Sequence, residues 1–218
     1  MQVFNPNHGL LKDLSSDVFA SELFCFSDEE LKLTSSEPKT YFGYVMTGEI
    51  SLRYAGNDYT LTEGMYFSVP RDLYLTCDGI GRAIVMSRIG YEGFFQIGGP
   101  VEQKGRLTYI DGCTDSLLIS PVMMGDPCLN LLHIPSGTEQ SQHTHPSLRL
   151  GVIISGTGTC VTPEENLPLV PGTIFYIPQD GQHSFHTTDS DLRVIAYHPD
   201  SDFGPTHENH PMVNKTIL

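Results

Sequence analysis

The chain has 218 residues, enough for one large β domain or two small ones with a substantial buried core. Its formal net charge of −14 argues against nucleic acid as a partner, because phosphate contacts depend on Lys and Arg. Five widely spaced cysteines without a CxxC pair argue against a disulfide framework or a zinc ribbon, and no apolar run is long enough to span a bilayer. We therefore expect a cytoplasmic protein with neither nucleic-acid nor membrane partners.

The predicted elements are almost entirely β-strands. Prolines and glycines separate many short runs of β-branched and aromatic residues, a pattern typical of an all-β fold. Helical signal is confined to residues 28–32, which could form a single turn. Residues 90–105 are rich in glycine and predict a linker. Residues 107–112 and 117–121 then predict two further strands.

The two halves of the sequence resemble each other at a constant offset of 108 residues. In each half, the aligned residues mark a strand, a glycine turn and a second strand. The aligned pairs are Gly43 with Gly151, Gly48 with Gly156, Gly64 with Gly172, Phe67 with Phe175, and Pro70 with Pro178. The chain therefore predicts two copies of one β unit.

Three histidines in the second half are candidate metal ligands. His143 and His145 are two residues apart, so on a strand both imidazoles would lie on the same face. His183 follows another predicted strand, which could bring its ring to the first two. Three imidazoles suit Fe, Ni, Cu or Zn.

The spacing of these histidines from Gly137, Gly156 and Pro178 resembles the two motifs of the cupin superfamily. The resemblance implies a bicupin, with two tandem double-stranded β-helix (jelly-roll) barrels. Residues 1–100 would form a degenerate N-terminal barrel and residues 101–218 a metal-binding C-terminal barrel.

The first half lacks the three histidines. Ser35, Glu37 and Leu75 stand at the positions that correspond to His143, His145 and His183, so we expect no metal there. For the second half, the resemblance implies one divalent transition metal per chain. Fe(II) is favoured, with Ni, Zn, Mn or Cu as alternatives.

Arg149 is the main departure from the cupin pattern, because it stands where cupins usually carry a fourth ligand, a glutamate. A guanidinium about 5 Å from a divalent ion costs roughly 6 kcal/mol at an effective dielectric constant near 20. Arg149 therefore either pairs with a nearby acid such as Glu139 or with a backbone carbonyl, or faces the pocket and binds an anionic substrate together with the metal.

Other histidines are weaker candidates. His186 could act as a catalytic acid or base, although its odd spacing from His183 would place it on the opposite strand face. His207 and His210 lie in a proline-containing tail, which we expect to cover a barrel mouth or a partner subunit rather than to bind metal.

A site of three histidines without a carboxylate resembles that of the cupin dioxygenases which use three histidines alone. This resemblance favours a metal-dependent oxidoreductase acting on a small organic substrate, for which an anionic group is one option. A redox-neutral isomerase or lyase on a carbonyl compound or sugar is an alternative. A non-catalytic binding or sensory bicupin is another alternative. Each of these hypotheses is compatible with a homodimer.

Overall fold

A computed structural model describes residues 1–201. Within this range the regular structure is β, apart from one 3-10 turn at Ile110–Gly112. The histidines of the predicted tail, His207 and His210, lie outside the described residues. Within the described range, no helix is long and apolar enough to cross a membrane. All five cysteines lie within residues 1–201 and form no disulfide there, and Cys77 is the one that is not fully buried.

The strands of the first half are short except for one. They are β1 (Gln2–Phe4), β2 (Gly9–Leu14), β3 (Ser21–Ser27), β4 (Leu31–Leu33), β5 (Lys39–Tyr54), β6 (Asn57–Thr62), β7 (Tyr66–Pro70), β8 (Leu73–Thr76), β9 (Gly81–Ile89) and β10 (Gln96–Gly98).

The second half continues with nine strands. They are β11 (Leu107–Thr108), β12 (Thr114–Ile119), β13 (Cys128–Ile134), β14 (Arg149–Gly156), β15 (Gly158–Val161), β16 (Asn166–Leu169), β17 (Ile174–Ile177), β18 (Ser184–His186) and β19 (Leu192–His198).

These strands form three antiparallel sheets. A nine-stranded sheet contains β2 to β10, and a seven-stranded sheet has the order β1-β17-β14-β19-β13-β12-β11. A small third sheet has the order β16-β15-β18. Strand β1 comes from the N-terminal end of the chain but pairs with β17, so one strand of the first half completes a sheet of the second.

The two larger sheets share an apolar core. Leu23, Phe42 and Met86 of the first half pack in one cluster with Leu131 and Ile195 of the second. Each half also has an apolar cluster of its own. Because strand side chains alternate, residues of the seven-stranded sheet that do not face the shared core face the interior of the second half.

The aligned glycines occupy equivalent positions. Gly43 of β5 is paired with Phe67 of β7, and Gly151 of β14 is paired with Phe175 of β17. A Cβ atom at Gly43 would lie 2.1 Å from Cζ of Phe67, and one at Gly151 would lie 2.6 Å from Cζ of Phe175. In both halves the missing side chain therefore makes room for an aromatic ring from the neighbouring strand.

Some local predictions were wrong. Residues 28–32 do not form a helical turn, because Leu31 begins β4, which pairs with β8. The strand predicted at residues 107–112 ends at Thr108 and continues into the 3-10 turn, in which Asp111 has a φ of 55°. The predicted linker at residues 90–105 contains β10, which pairs with β7.

Candidate metal centre

His143 and His183 come together through their backbones. Each donates its N–H to the carbonyl oxygen of the other at 3.0 Å, which forms an isolated antiparallel bridge. The segment that carries His143 and His145 is therefore not the regular strand that the sequence predicts. Pro146 follows directly and has no N–H to continue a ladder.

Two of the three rings are oriented by backbone carbonyls. Nδ1 of His143 lies 2.8 Å from the carbonyl oxygen of Ser141, and Nδ1 of His183 lies 2.8 Å from that of Gly181. A carbonyl can only accept a hydrogen bond, so each Nδ1 carries the proton. Nε2 of both rings is then the unprotonated nitrogen, which is the form that binds a metal.

His145 completes the cluster. Its ring centroid lies 4.9 Å from that of His143 and 5.2 Å from that of His183, while the latter two are 4.6 Å apart. The candidate ligand nitrogens of the three residues all lie within 4.8 Å of one another. Metal–nitrogen bonds of about 2.1 Å can span this cluster after small ring rotations.

The surroundings of His145 and His183 favour the neutral form of these two imidazoles. Burial, followed by the positive charge of Arg149, lowers the pKa of His145 from 6.5 to about 3. Burial also lowers the pKa of His183 from 6.5 to about 4, with smaller contributions from His143 and Arg149. Neutral imidazole is the form required for coordination, so the cluster suits a transition metal.

Arg149 lies at the start of β14 and is only 4% exposed. Its Nη1 donates hydrogen bonds to the carbonyl oxygens of Ser147 and Leu148 at 3.1 and 3.0 Å, and to Oγ of Ser147 at 2.8 Å. The side chain also lines the cavity that contains the three histidines. The backbone therefore fixes the guanidinium at the edge of the cluster.

His186 is placed differently from the other predicted residues. It lies on β18, its Nε2 is 3.0 Å from Oγ of Ser184, and its backbone pairs with that of Glu139. Among residues 1–201, the cavity wall includes His183 and Phe185 of this segment but not His186. The structure therefore does not bring His186 to the cluster, since alternation along the strand directs its ring to the other face.

The cavity has a volume of about 390 Å³. Its wall is mostly apolar and is built from one face of the seven-stranded sheet, together with the loop that carries His143 and His145. Mostly apolar pockets of this size with a few polar groups are typical of small-molecule sites.

Three polar residues of this wall were not predicted from the sequence to line the site. His198 of β19 has its ring centroid 6.4 Å from that of His145, and burial lowers its pKa well below 6.5. Asp115 of β12 and Asn130 of β13 lie further along the same sheet face. Strand alternation could have indicated their common face only after the register of β12, β13 and β19 was known.

An all-β fold with three convergent imidazoles in a small-molecule cavity defines a candidate metal-binding β protein. Residues 130–198 match the family model described as the Cupin domain. The match covers β13 to β19 and includes all three histidines. This part of the chain is therefore similar to a cupin domain, and a solved cupin structure has a similar fold.

Solved structures show the same fold at low identity. A cupin 2 conserved barrel domain protein from Leptotrichia buccalis is 15% identical, with a TM-score of 0.61 over 81% of this chain and 82% of that one. A variant of salicylate 1,2-dioxygenase from Pseudoaminobacter salicylatoxidans is 12% identical, with a TM-score of 0.60 over 81% of this chain and 69% of that one. At these identities the likeness concerns the fold alone.

A curated relative matches a shorter stretch. An uncharacterized protein of Streptomyces coelicolor is 28% identical over 68 residues, which is 31% of this chain. The match spans 65% of the length of that relative.

Proposed function

We propose that the chain is a metal-dependent cupin enzyme, a mononuclear three-histidine dioxygenase that acts on a small organic substrate with an anionic group. The observation that carries the proposal is the convergence of His143, His145 and His183 at one cavity lined also by Arg149, with the pKa values of His145 and His183 lowered. The likeness in fold to salicylate 1,2-dioxygenase, which is also solved in complex with gentisate, supports this choice among cupin activities.

The three imidazoles are the residues that would hold the metal, with Fe(II) favoured over Ni, Zn, Mn or Cu. When bound, Fe(II) supplies the redox chemistry that O2-dependent oxidation of an organic substrate requires. The chain positions the metal ligands, because the carbonyl oxygens of Ser141 and Gly181 fix the rings of His143 and His183.

Arg149 is the residue that we propose for substrate orientation. Its charge favours an anion beside the histidines, and its hydrogen bonds to Ser147 and Leu148 reduce the entropy lost when a substrate binds. The apolar part of the wall would exclude water from the bound substrate. His186, which the sequence suggests as an acid or base, makes no contact within residues 1–201 that supports this role.

We also propose the two-barrel organisation that the internal repeat predicts, with a first unit at residues 1–100 and a second at residues 101–218. The equivalent pairs of Gly43 with Phe67 and Gly151 with Phe175 support it. Strand β1 of the first unit would then pair with strand β17 of the second unit. A homodimer and a cytoplasmic location remain predictions from the sequence.

The test begins with metal-free protein loaded anaerobically with Fe(II). O2 consumption is then measured against a panel of small aromatic and aliphatic acids that includes salicylate and gentisate, with His183→Ala as the inactive control. We expect substrate-dependent O2 uptake. Turnover without O2 in the Zn, Mn or Ni form would instead indicate an isomerase or lyase, and ligand binding without turnover would indicate a binding protein.

A further inference from the structure

The cavity wall has a second group of polar residues, Asp115 and Asn130, on strands other than that of Arg149. Along the seven-stranded sheet, β14 with Arg149 is followed by β19, then by β13 with Asn130 and β12 with Asp115. Neighbouring strands lie about 4.8 Å apart, so about 14 Å of sheet separates the strands of Arg149 and Asp115. Arg149 and Asp115 therefore line one cavity from strands that are three positions apart in the sheet.

The hydrogen bonds of this pair leave one acceptor without a donor. Nδ2 of Asn130 donates to Oδ1 and Oδ2 of Asp115 at 3.2 and 3.1 Å. Asn130 is 6% exposed, and within residues 1–201 its Oδ1 has no hydrogen-bond partner. A buried acceptor without a donor costs about 1–3 kcal/mol, so such an atom in a cavity wall is suited to a ligand donor.

The charge of Asp115 also lacks a counterion. Among the described residues, the ion pairs of the chain involve other carboxylates, and no basic side chain pairs with Asp115. Burial raises the pKa of this carboxyl from 3.8 to about 6, and the hydrogen bond from Asn130 opposes the rise only in part. At neutral pH the group is still largely ionised and would be stabilised by a cation.

We propose that Asp115 and Asn130 form a subsite for a protonated amine of the substrate, while Arg149 receives an anionic group. Two carboxylate oxygens and one amide oxygen present acceptors only, and an ammonium presents donors only. Leu117, Leu132 and Ala196 line the wall near this pair and match a carbon framework between the two charged groups. The inference deepens the proposed function by specifying an amino acid-like, zwitterionic substrate.

The test measures binding to metal-free wild-type protein by isothermal titration calorimetry, with two pairs of probes. They are ε-aminocaproate against caproate, and para-aminomethylbenzoate against para-methylbenzoate, so that each pair differs in the amine. We expect the amine of at least one pair to bind about tenfold more tightly than its partner. Asp115→Asn should reduce this preference to less than about threefold, and Asp115→Glu should restore part of it.

Glu164→Gln is the matched control, because it removes the charge of an exposed carboxylate outside the cavity. It should leave the preference unchanged. Equal binding of both members of each pair to the wild type, absence of amine binding at millimolar concentration, or an undiminished preference in Asp115→Asn would each overturn the subsite. Because no metal is present, a selective protein that consumes no O2 would support the subsite and contradict the dioxygenase proposal.

Discussion

Replacement of Asp115 by asparagine should stabilise the fold at neutral pH, although it removes a charged hydrogen-bond acceptor. The folded-state pKa of about 6 lies above the ordinary value of 3.8, so the folded protein disfavours the charged carboxylate. Each pH unit between two such values corresponds to about 1.4 kcal/mol, which gives about 3 kcal/mol as an upper limit above the folded pKa. The new amide can also donate to Oδ1 of Asn130, the acceptor that lacks a partner among the described residues.

The sign of the pH dependence follows from the raised pKa. The penalty of Asp115 is fully present above about pH 6 and disappears as the pH falls towards 3.8 and the carboxyl is protonated in both states. Urea unfolding of metal-free protein should show Asp115→Asn more stable than wild type by about 1–3 kcal/mol near pH 7.5, and by less than about 1 kcal/mol near pH 4.5. Glu164→Gln should show neither change. A destabilised Asp115→Asn at pH 7.5, or a difference that does not shrink with acid, would refute the reasoning.

Three further substitutions test the metal site, the strand packing and the substrate site. His183→Ala should lower the metal content after dialysis from about one to below about 0.1 ion per chain by elemental analysis, whereas His186→Ala, outside the described cavity wall, should leave it unchanged. Gly151→Ala should lower the free energy of unfolding by about 2–4 kcal/mol in denaturant melts, because its Cβ would lie 2.3 Å from a backbone oxygen of β19. The control is Gly79→Ala, whose Cβ would have no atom within 4 Å, so the free energy of unfolding should change little. Arg149→Lys should raise the KM for an anionic substrate about tenfold in steady-state assays, because an ammonium cannot replace the planar guanidinium fork.

The convergence of the three histidines was predictable because their spacing from glycines and prolines resembles the two cupin motifs. Glycine and proline positions define the ends of the strands, and His143 and His183 then need only one bridge to meet. The detailed geometry was less predictable. The sequence suggests a regular strand that carries His143 and His145, but the structure has none there. Single carbonyl contacts orient two of the rings, that of His143 at Ser141 and that of His183 at Gly181.

The other polar residues of the cavity wall could not be predicted from the sequence. Asp115, Asn130 and His198 come from three strands whose pairing is long-range, and a shift of one residue in either register would direct each side chain to the other face. The wrong helical turn at residues 28–32 has a similar cause. Local composition favoured a turn, but pairing of Leu31 with Leu75 determines the conformation.

The internal repeat also explains how a fold with a cavity in its second half remains stable. At the positions that correspond to Arg149 and His183, the first half carries Tyr41 and Leu75, both fully buried in its apolar cluster. The first half thus fills with apolar side chains the region in which the second half places polar groups around a cavity. Apolar burial is the main stabilising contribution to folding, whereas buried polar groups without partners cost free energy. Because the two halves share one apolar core, the filled half can offset the cost of the half that carries the cavity.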